Sequence, residues 1–166
     1  TLFRSPAGAR DAYGGEPFGG LAGTGGDGHL FTAAEIRAIL KDAAYPYIRF
    51  YYPLPDYRLP QLIFSDAHLP DEKVGESLIP YDPTSDTRVL SETYLYRYIV
   101  TNGLFPQMAN SFLVECALQK NTVRGADFIS LASDRAPAAN IATAVKGREQ
   151  VTKRPLTAAG REGLAH

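Results

Sequence analysis

The chain lacks several features that mark large classes of protein. Its 166 residues contain one cysteine, Cys116, so an internal disulfide framework is excluded. A lone cysteine is typical of a reducing compartment, and we expect a cytoplasmic location. No apolar run approaches the roughly 18 residues of a membrane span. No charged head followed by an apolar stretch indicates a signal peptide. The net charge of −1 gives no reason to expect binding to nucleic acid or to a membrane.

Recognisable catalytic motifs are also missing. The three histidines, His29, His68 and His166, are far apart and match no metal-ligand spacing, so no metal site is predicted. No Gly-x-Ser-x-Gly elbow occurs. Nine of the fifteen glycines fall in residues 1–28, but no Gly-Lys-Ser/Thr ending identifies a phosphate loop. This glycine-rich region is either a flexible connection or a loop at the edge of a site, and no catalytic residue can be named.

Charge divides the chain into two parts. Residues 1–120 carry 10 basic and 14 acidic side chains, whereas residues 121–166 carry 7 basic and 4 acidic ones. Such a change of sign can mark a module boundary, although chance over a short tail would also explain it. We therefore predict one unit at 1–120, with residues 1–30 as its glycine-rich loop, and a second unit at 121–166.

The pattern from residue 32 to residue 65 predicts a helix followed by two strands. Thr32 and Glu35 have capping-box spacing, and the helix should end near Tyr45, before Pro46. Residues 47–52 form a strand whose two faces are both apolar or amphipathic, so we expect it to be covered on both sides. Pro53 and Pro55 should end this strand, and a second strand is predicted at 61–65.

The remaining elements are predicted from shorter patterns. The acidic stretch 66–88 should be an irregular excursion, and residues 89–102 a helix closed by Gly103. The apolar stripe of that helix should consist of Leu90, Tyr94, Leu95 and Tyr98. Strands are predicted at 111–117 and 127–132, with a hairpin around Gly147 and a C-terminal helix in 157–166.

Aromatic residues concentrate around the first predicted strand. Five of the ten tyrosines lie between positions 45 and 57. A tyrosine offers a broad apolar ring and a hydroxyl group, so this region could line a polar pocket. The substrate-binding candidates are Tyr51, Tyr52, Asp56 and Tyr57. The alternative is that these tyrosines are ordinary strand residues.

Six short segments carry a resemblance to a known family. They read GARD at 8–11, FT at 31–32, FYYPLPDY at 50–57, IFSD at 63–66, GLFP at 103–106 and NSFLV at 110–114. With the order of the predicted elements, they resemble the C-terminal half of a class I S-adenosylmethionine-dependent methyltransferase-like domain. The similar proteins make bacterial surface polysaccharides and join that domain to glycosyltransferase or kinase-like modules. The resemblance covers residues 7–117.

The resemblance implies an α/β fold. The chain would be the C-terminal part of a Rossmann-like methyltransferase sheet, ending in an antiparallel hairpin and followed by a small β-rich tail. It implies S-adenosylmethionine as cofactor and a carbohydrate acceptor, in the synthesis of O-antigen-type polysaccharide. The family's cofactor-binding loop belongs to the N-terminal half and is not in this sequence. We therefore expect the chain to be inactive without that half.

A second resemblance concerns the tail. The segment SDR at 133–135, the hairpin and the segment VTKRPL at 151–156 look like the opening of a kinase-like N-lobe, in which a strand lysine pairs with nucleotide phosphates. Lys153 would be that lysine and is the predicted nucleotide-binding residue. The alternative is an exposed hairpin lysine. For the whole chain, two rivals to a methyltransferase fragment stay open: a non-catalytic scaffold module, and an accessory segment of a glycosyltransferase.

Overall fold

The computed structural model describes residues 2–4, 31–55, 57, 59–77, 92–109, 111–123, 125–132 and 135–164. The seven strands are β1 (Leu2–Arg4), β2 (Tyr47–Leu54), β3 (Leu62–Ser65), β4 (Ser111–Ala117), β5 (Phe128–Ala132), β6 (Ile141–Lys146) and β7 (Gln150–Pro155). The α-helices are α1 (Ala33–Asp42), α2 (Val74–Ser77), α3 (Glu92–Thr101), α4 (Phe105–Met108) and α5 (Ala158–Leu164). Two short 3-10 helices lie at Lys120–Thr122 and Pro137–Ala139.

The strands form one sheet in the order β1-β4-β2-β3-β5-β6-β7. All neighbouring strands among the described residues are antiparallel. A Rossmann-like fold is built on a parallel sheet, so the predicted fold class is wrong. The sequence indicated which segments are strands, but a helix between two strands does not show that they are parallel neighbours. The pairing of β3 with β5 also continues the sheet across the boundary expected near residue 120.

Helix α1 begins at the predicted capping box. The Thr32 amide donates to Glu35 Oε2 at 2.7 Å, and the Glu35 amide donates to Thr32 Oγ1 at 3.2 Å. Two of the amides that a helix start leaves without partners are satisfied in this way. Ile36 is the buried residue of α1. Ala44, just beyond the end of the helix, has a φ of 61°. The prediction of this helix is confirmed.

Strand β2 is an interior strand of the sheet, between β4 and β3. Its hairpin with β3 pairs Tyr51 with Ser65 and Leu54 with Leu62, in antiparallel register. Pro53 does not end the strand as predicted; it pairs with Ile63. The last described pair of β2 with β4 is Tyr51 with Leu113. Pro53 lies beyond this pair. A proline has no amide hydrogen to donate, but no described hydrogen bond between β2 and β4 is lost at this position.

The core lies between one face of the sheet and helices α1 to α4. It is an aromatic cluster in which Tyr52 meets Phe105 with ring centroids 5.5 Å apart and Phe112 at 6.1 Å, both edge to face. Phe50 meets Phe112 at 5.7 Å, and Phe64 meets Phe105 at 6.3 Å. Edge-to-face pairs add to the hydrophobic contribution of the buried rings. The core therefore depends on side chains from β2, β3, β4 and α4 together.

Helix α3 turns a different face to the core than the sequence predicts. Tyr96 and Ile99 are its buried side chains, whereas Tyr94 and Tyr98 are largely exposed. Leu95 is half-buried against the core, and Leu90 lies outside the described residues. The helix is apolar on two overlapping faces, so helical spacing alone selects neither. The end of the helix is as predicted: Gly103 follows with a φ of 67°.

The strands and the hairpin predicted from shorter segments of sequence agree with the structure. Strands β4 and β5 match the predicted segments within one residue, and β6 and β7 form the predicted hairpin with Gly147 at a φ of 62°. Of the acidic excursion, residues 66–77 are described; they contain the one-turn helix α2. Among the described helices, none combines the length and apolar character needed to cross a bilayer.

Helix α4 offers a matched pair of substitutions that tests the aromatic core. Phe105 is 2% exposed and touches the rings of Tyr52, Phe64 and Tyr96, whereas Met108 on the same helix is 43% exposed. Phe105→Ala should lower the free energy of unfolding by roughly 3–5 kcal/mol, because it leaves a cavity. Met108→Ala should cost under about 1 kcal/mol. Urea denaturation measures both, and equal effects would contradict the described core.

Candidate functional site

The two neighbouring tyrosines of the predicted site point to opposite sides of the sheet. Tyr52 faces the helices and has no exposed surface. Tyr51 faces away from them and is 5% exposed. We call the side that carries Tyr51 the second face. The strand registers place on it Leu113 and Glu115 of β4, Arg49 and Tyr51 of β2, Ile63 of β3, Ile129 of β5, Ala142 and Ala144 of β6, and Thr152 and Arg154 of β7.

On the core side, Asp66 is the partner of Tyr52. The Tyr52 hydroxyl donates to Asp66 Oδ1 at 2.6 Å, and the Phe50 amide donates to Oδ2 at 3.1 Å. Arg37 of α1 lies 3.3 Å from the same carboxylate, with its guanidinium 4.0 Å from the centre of the Phe50 ring. Burial, followed by the Asp66 carboxylate, raises the pKa of Tyr52. This group joins α1 to the β2–β3 hairpin and serves the fold.

On the second face, Tyr51 belongs to a different network. Its hydroxyl donates to Glu115 Oε2 at 2.8 Å, and the Gly125 amide donates to the same oxygen at 3.3 Å. Burial, followed by the Glu115 carboxylate, raises the pKa of Tyr51 from 10.0 to about 12, although Arg49 acts in the opposite direction. Tyr51 is therefore a neutral hydrogen-bond donor at physiological pH.

Arg49 holds the adjacent part of the same network. Its Nη1 donates to the Gly125 carbonyl at 3.0 Å and to Asp127 Oδ1 at 3.1 Å. The other oxygen of Asp127 accepts the Gly147 amide at 2.7 Å. These bonds connect β2 with the segment before β5 and with the β6–β7 turn, so they hold three separate parts of the chain in one arrangement.

Gly125 lies so close to Tyr51 that no side chain fits there. A Cβ atom at position 125 would stand 1.5 Å from the Tyr51 hydroxyl and 2.9 Å from Glu115 Oε2. The backbone at Gly125 therefore lies directly against the second face. Gly125 and Ala126, together with Ile129 of β5, line two cavities that adjoin here.

Described residues line cavities along the second face, among them the following three. The sheet groove, about 490 Å³, follows β6 and β7 and is lined by Gly125, Ala126, Ile129, Ala142, Ala144, Lys146, Gln150, Thr152 and Arg154. The basic cleft, about 660 Å³, is lined by Pro46, Tyr47, Ile48, Arg49, Lys120, Val123 and Lys146. The apolar cavity, about 350 Å³, is lined by Tyr51, Ile63, Leu113, Val114, Glu115, Gly125, Ala126 and Ile129. Volumes of this size are typical of small-ligand sites.

The predicted site residues that the structure describes lie in different places. Tyr51 and Tyr52 are on opposite faces, Tyr57 is half-buried in the connection between β2 and β3, and Asp56 lies outside the described residues. Lys153 is an exposed residue of β7 paired with Thr143, and it points away from the second face. Its nucleotide-binding role stays a prediction.

Sequence reasoning missed the polar partners on the second face. Glu115 is 64 positions from Tyr51 and Asp127 is 78 positions from Arg49, so no local spacing relates them. One signal was present: Glu115 interrupts the apolar strand 111–117, and Asp127 directly precedes the apolar strand β5. A carboxylate inside a buried strand needs a partner, and this could have directed attention to both residues.

The described strands lack the parallel arrangement on which the expected S-adenosylmethionine site is built, and the cofactor stays a prediction of the resemblance. The expected cofactor site needs a glycine-rich loop after a parallel strand and an acidic ribose ligand, and the described strands are all antiparallel. Within the described ranges, no three histidine, cysteine or carboxylate side chains group as metal ligands do.

Comparisons of the chain with protein-family models, with curated proteins and with solved structures find no match. The geometry of the second face is therefore what a functional proposal has to explain.

Alkaline titration tests the Tyr51 network. The folded-state pKa of Tyr51 lies above its ordinary value, so its contribution to stability is complete below pH 10 and is lost as the pH rises towards 12. At neutral pH, Tyr51→Phe should lower the free energy of unfolding by roughly 1.5–3 kcal/mol, because a hydrogen bond to a charged acceptor is lost. The deficit relative to the wild type should shrink between pH 10 and pH 12.

Tyr98→Phe is the control for this measurement, since Tyr98 is exposed on α3. At neutral pH it should change the free energy of unfolding by less than about 0.5 kcal/mol. A deficit of Tyr51→Phe that stays constant up to pH 12 would show that the Tyr51 hydroxyl is not held by Glu115.

Proposed function

We propose that this chain is a non-catalytic binding module that holds a carbohydrate in the sheet groove, as part of a larger protein of surface-polysaccharide synthesis. The observation that carries the proposal is the composition of the groove. Its floor is made of small and apolar side chains, Ala142, Ala144 and Ile129, and the side chains of Gln150, Thr152 and Arg154 follow one another along β7. An apolar floor beside a polar row matches the two kinds of surface that a sugar ring presents.

Each part of the groove has a counterpart in a carbohydrate. The C–H face of a sugar ring packs on apolar surface, and alanines let it approach the sheet closely. Its hydroxyls need donors and acceptors, which the Gln150 amide, the Thr152 hydroxyl and the Arg154 guanidinium supply. These three residues are two apart along β7 and so point to the same side. An extended oligosaccharide lying along the strand would meet all three.

The chemistry around the groove favours holding a ligand over transforming it. Tyr51 is kept neutral and donates to Glu115, whose carboxylate also accepts the Gly125 amide. Arg49 and Asp127 form an ion pair with each other and hydrogen bonds with backbone groups. Groups engaged in this way position the walls of the groove, and rigid walls lower the entropic cost of binding.

Adjacent basic residues of β7 provide a matched test. Arg154 lines the sheet groove, and Lys153 points to the other side of the sheet. We expect a panel of oligosaccharides to include ligands that bind the wild type, as measured by calorimetry. Arg154→Ala should weaken that binding roughly tenfold, because it removes a charge-assisted hydrogen bond. Lys153→Ala should leave it unchanged. Equal losses in the two variants would contradict a groove on the second face.

Methyl transfer, which the family resemblance implies, is a separate proposal for the parent protein. Because the described strands are antiparallel and the family's cofactor-binding loop belongs to the N-terminal half, we expect S-adenosylmethionine to produce no measurable heat of binding with this chain. A longer chain with a strand, glycine-rich loop and helix ahead of Thr1 should bind it. Tight binding by the present chain would show that residues outside the described ranges form the cofactor site.

A further inference from the structure

We infer that the apolar cavity of the second face holds a hydrocarbon chain attached to the carbohydrate, so that the ligand is an amphiphile with a sugar end and an apolar end. The inference rests on the proposed function, because it adds a second site to the one in the sheet groove. Its starting point is that the cavity and the groove share three lining residues, Gly125, Ala126 and Ile129. The two spaces therefore adjoin, and one ligand can occupy both.

A row of side chains leads from the groove into the cavity. It consists of four residues, each directly paired with the next, from β7, β6, β5 and β3: Thr152, Ala144, Ile129 and Ile63. Directly paired residues of neighbouring strands point to the same side of a sheet. Strands lie roughly 4.8 Å apart, so the row is about 14 Å long. Its groove end is polar and its cavity end is apolar, which is the polarity of an amphiphile.

The cavity end of the row offers apolar surface that a ligand can cover. Ile63 and Ile129 are half-buried, and Leu113 of β4 is 38% exposed. All three line the cavity together with Tyr51, which is directly paired with Leu113. Apolar surface that is removed from water stabilises a complex in proportion to its area. A hydrocarbon chain would bury these side chains, and the cavity would bury the chain.

The polar groups at the cavity favour a hydrocarbon over a second sugar ring. The Tyr51 hydroxyl donates to Glu115, and the same carboxylate oxygen accepts the Gly125 amide. Sugar hydroxyls would compete with these bonds, whereas a hydrocarbon leaves them intact. The size of the cavity also agrees, because an apolar cavity of about 150 Å³ already binds benzene. The present one, at about 350 Å³, has room for a chain of several carbon atoms.

The experiment measures the binding of methyl, butyl and hexyl glycosides of the tightest-binding oligosaccharide in the panel, by calorimetry on the full chain. Each added methylene should tighten binding roughly two- to fourfold, because it passes from water into the cavity. Ile63 and Leu113 line the cavity but not the groove. Their methyl NMR signals should shift with the hexyl glycoside and stay in place with the methyl glycoside. The same signals are recorded with 1-hexanol alone.

Two partly exposed leucines provide matched variants. Leu113 lines the cavity, whereas Leu104, 48% exposed, precedes α4 on the helical side of the sheet. Leu113→Ala should weaken binding of the hexyl glycoside roughly three- to tenfold and leave the methyl glycoside unchanged. Leu104→Ala should change neither. Leu113→Thr, whose β-branched side chain suits a strand, replaces Leu113→Ala if that variant does not fold.

The outcomes separate this inference from the proposed function. Equal affinities for the methyl and hexyl glycosides overturn the inference and leave carbohydrate binding in place. A gain with chain length that Leu113→Ala does not reduce also overturns it, because the chain is then held elsewhere. If no carbohydrate binds but 1-hexanol shifts the signals of Ile63 and Leu113, the hydrocarbon site stands and the carbohydrate proposal fails. If neither binds, both fail.

Discussion

The rest of the structure depends on a constraint that acts on β2. This interior strand is buried on both sides from Phe50 to Leu54, so each of those side chains has to suit an enclosed environment. Residues two apart share a face. Phe50, Tyr52 and Leu54 accordingly enter the aromatic core, and Arg49 and Tyr51 enter the second face. The alternation of one strand thus positions both the hydrophobic core and the candidate site.

Because β2 is buried on both sides, the hydroxyl groups of Tyr51 and Tyr52 both need a hydrogen-bond acceptor, and a carboxylate supplies it in each case. A buried phenol without a hydrogen-bond partner is costly. Tyr52 donates to Asp66, and Tyr51 donates to Glu115. Each carboxylate also accepts a backbone amide, from Phe50 and from Gly125 respectively. On the core side this arrangement ties α1 to the hairpin; on the second face it ties the segment before β5 to the sheet.

Features that depend on residues close together in the chain were predicted from the sequence. Thr32 and Glu35 are three positions apart, and Gly147 lies inside its own turn, so the helix start and the final hairpin were both identified. Strand order, in contrast, depends on contacts between distant segments, as in the pairing of β3 with β5. No periodicity encodes such a pairing, and the predicted Rossmann-like sheet failed there. The partners of Tyr51 and Arg49 were missed for the same reason.

The close approach at Gly125 has a consequence for how the second face can bind. The backbone of the segment before β5 lies against Tyr51 and Glu115. Gly125, Ala126 and Ile129 line both the apolar cavity and the sheet groove, so the two adjoin at this segment. The groove meets the basic cleft at Lys146, so polar and charged groups form one continuous surface. A ligand that is apolar throughout would use only the cavity beside Tyr51. A ligand with hydroxyl groups would use the groove, where Gln150, Thr152 and Arg154 offer donors and acceptors.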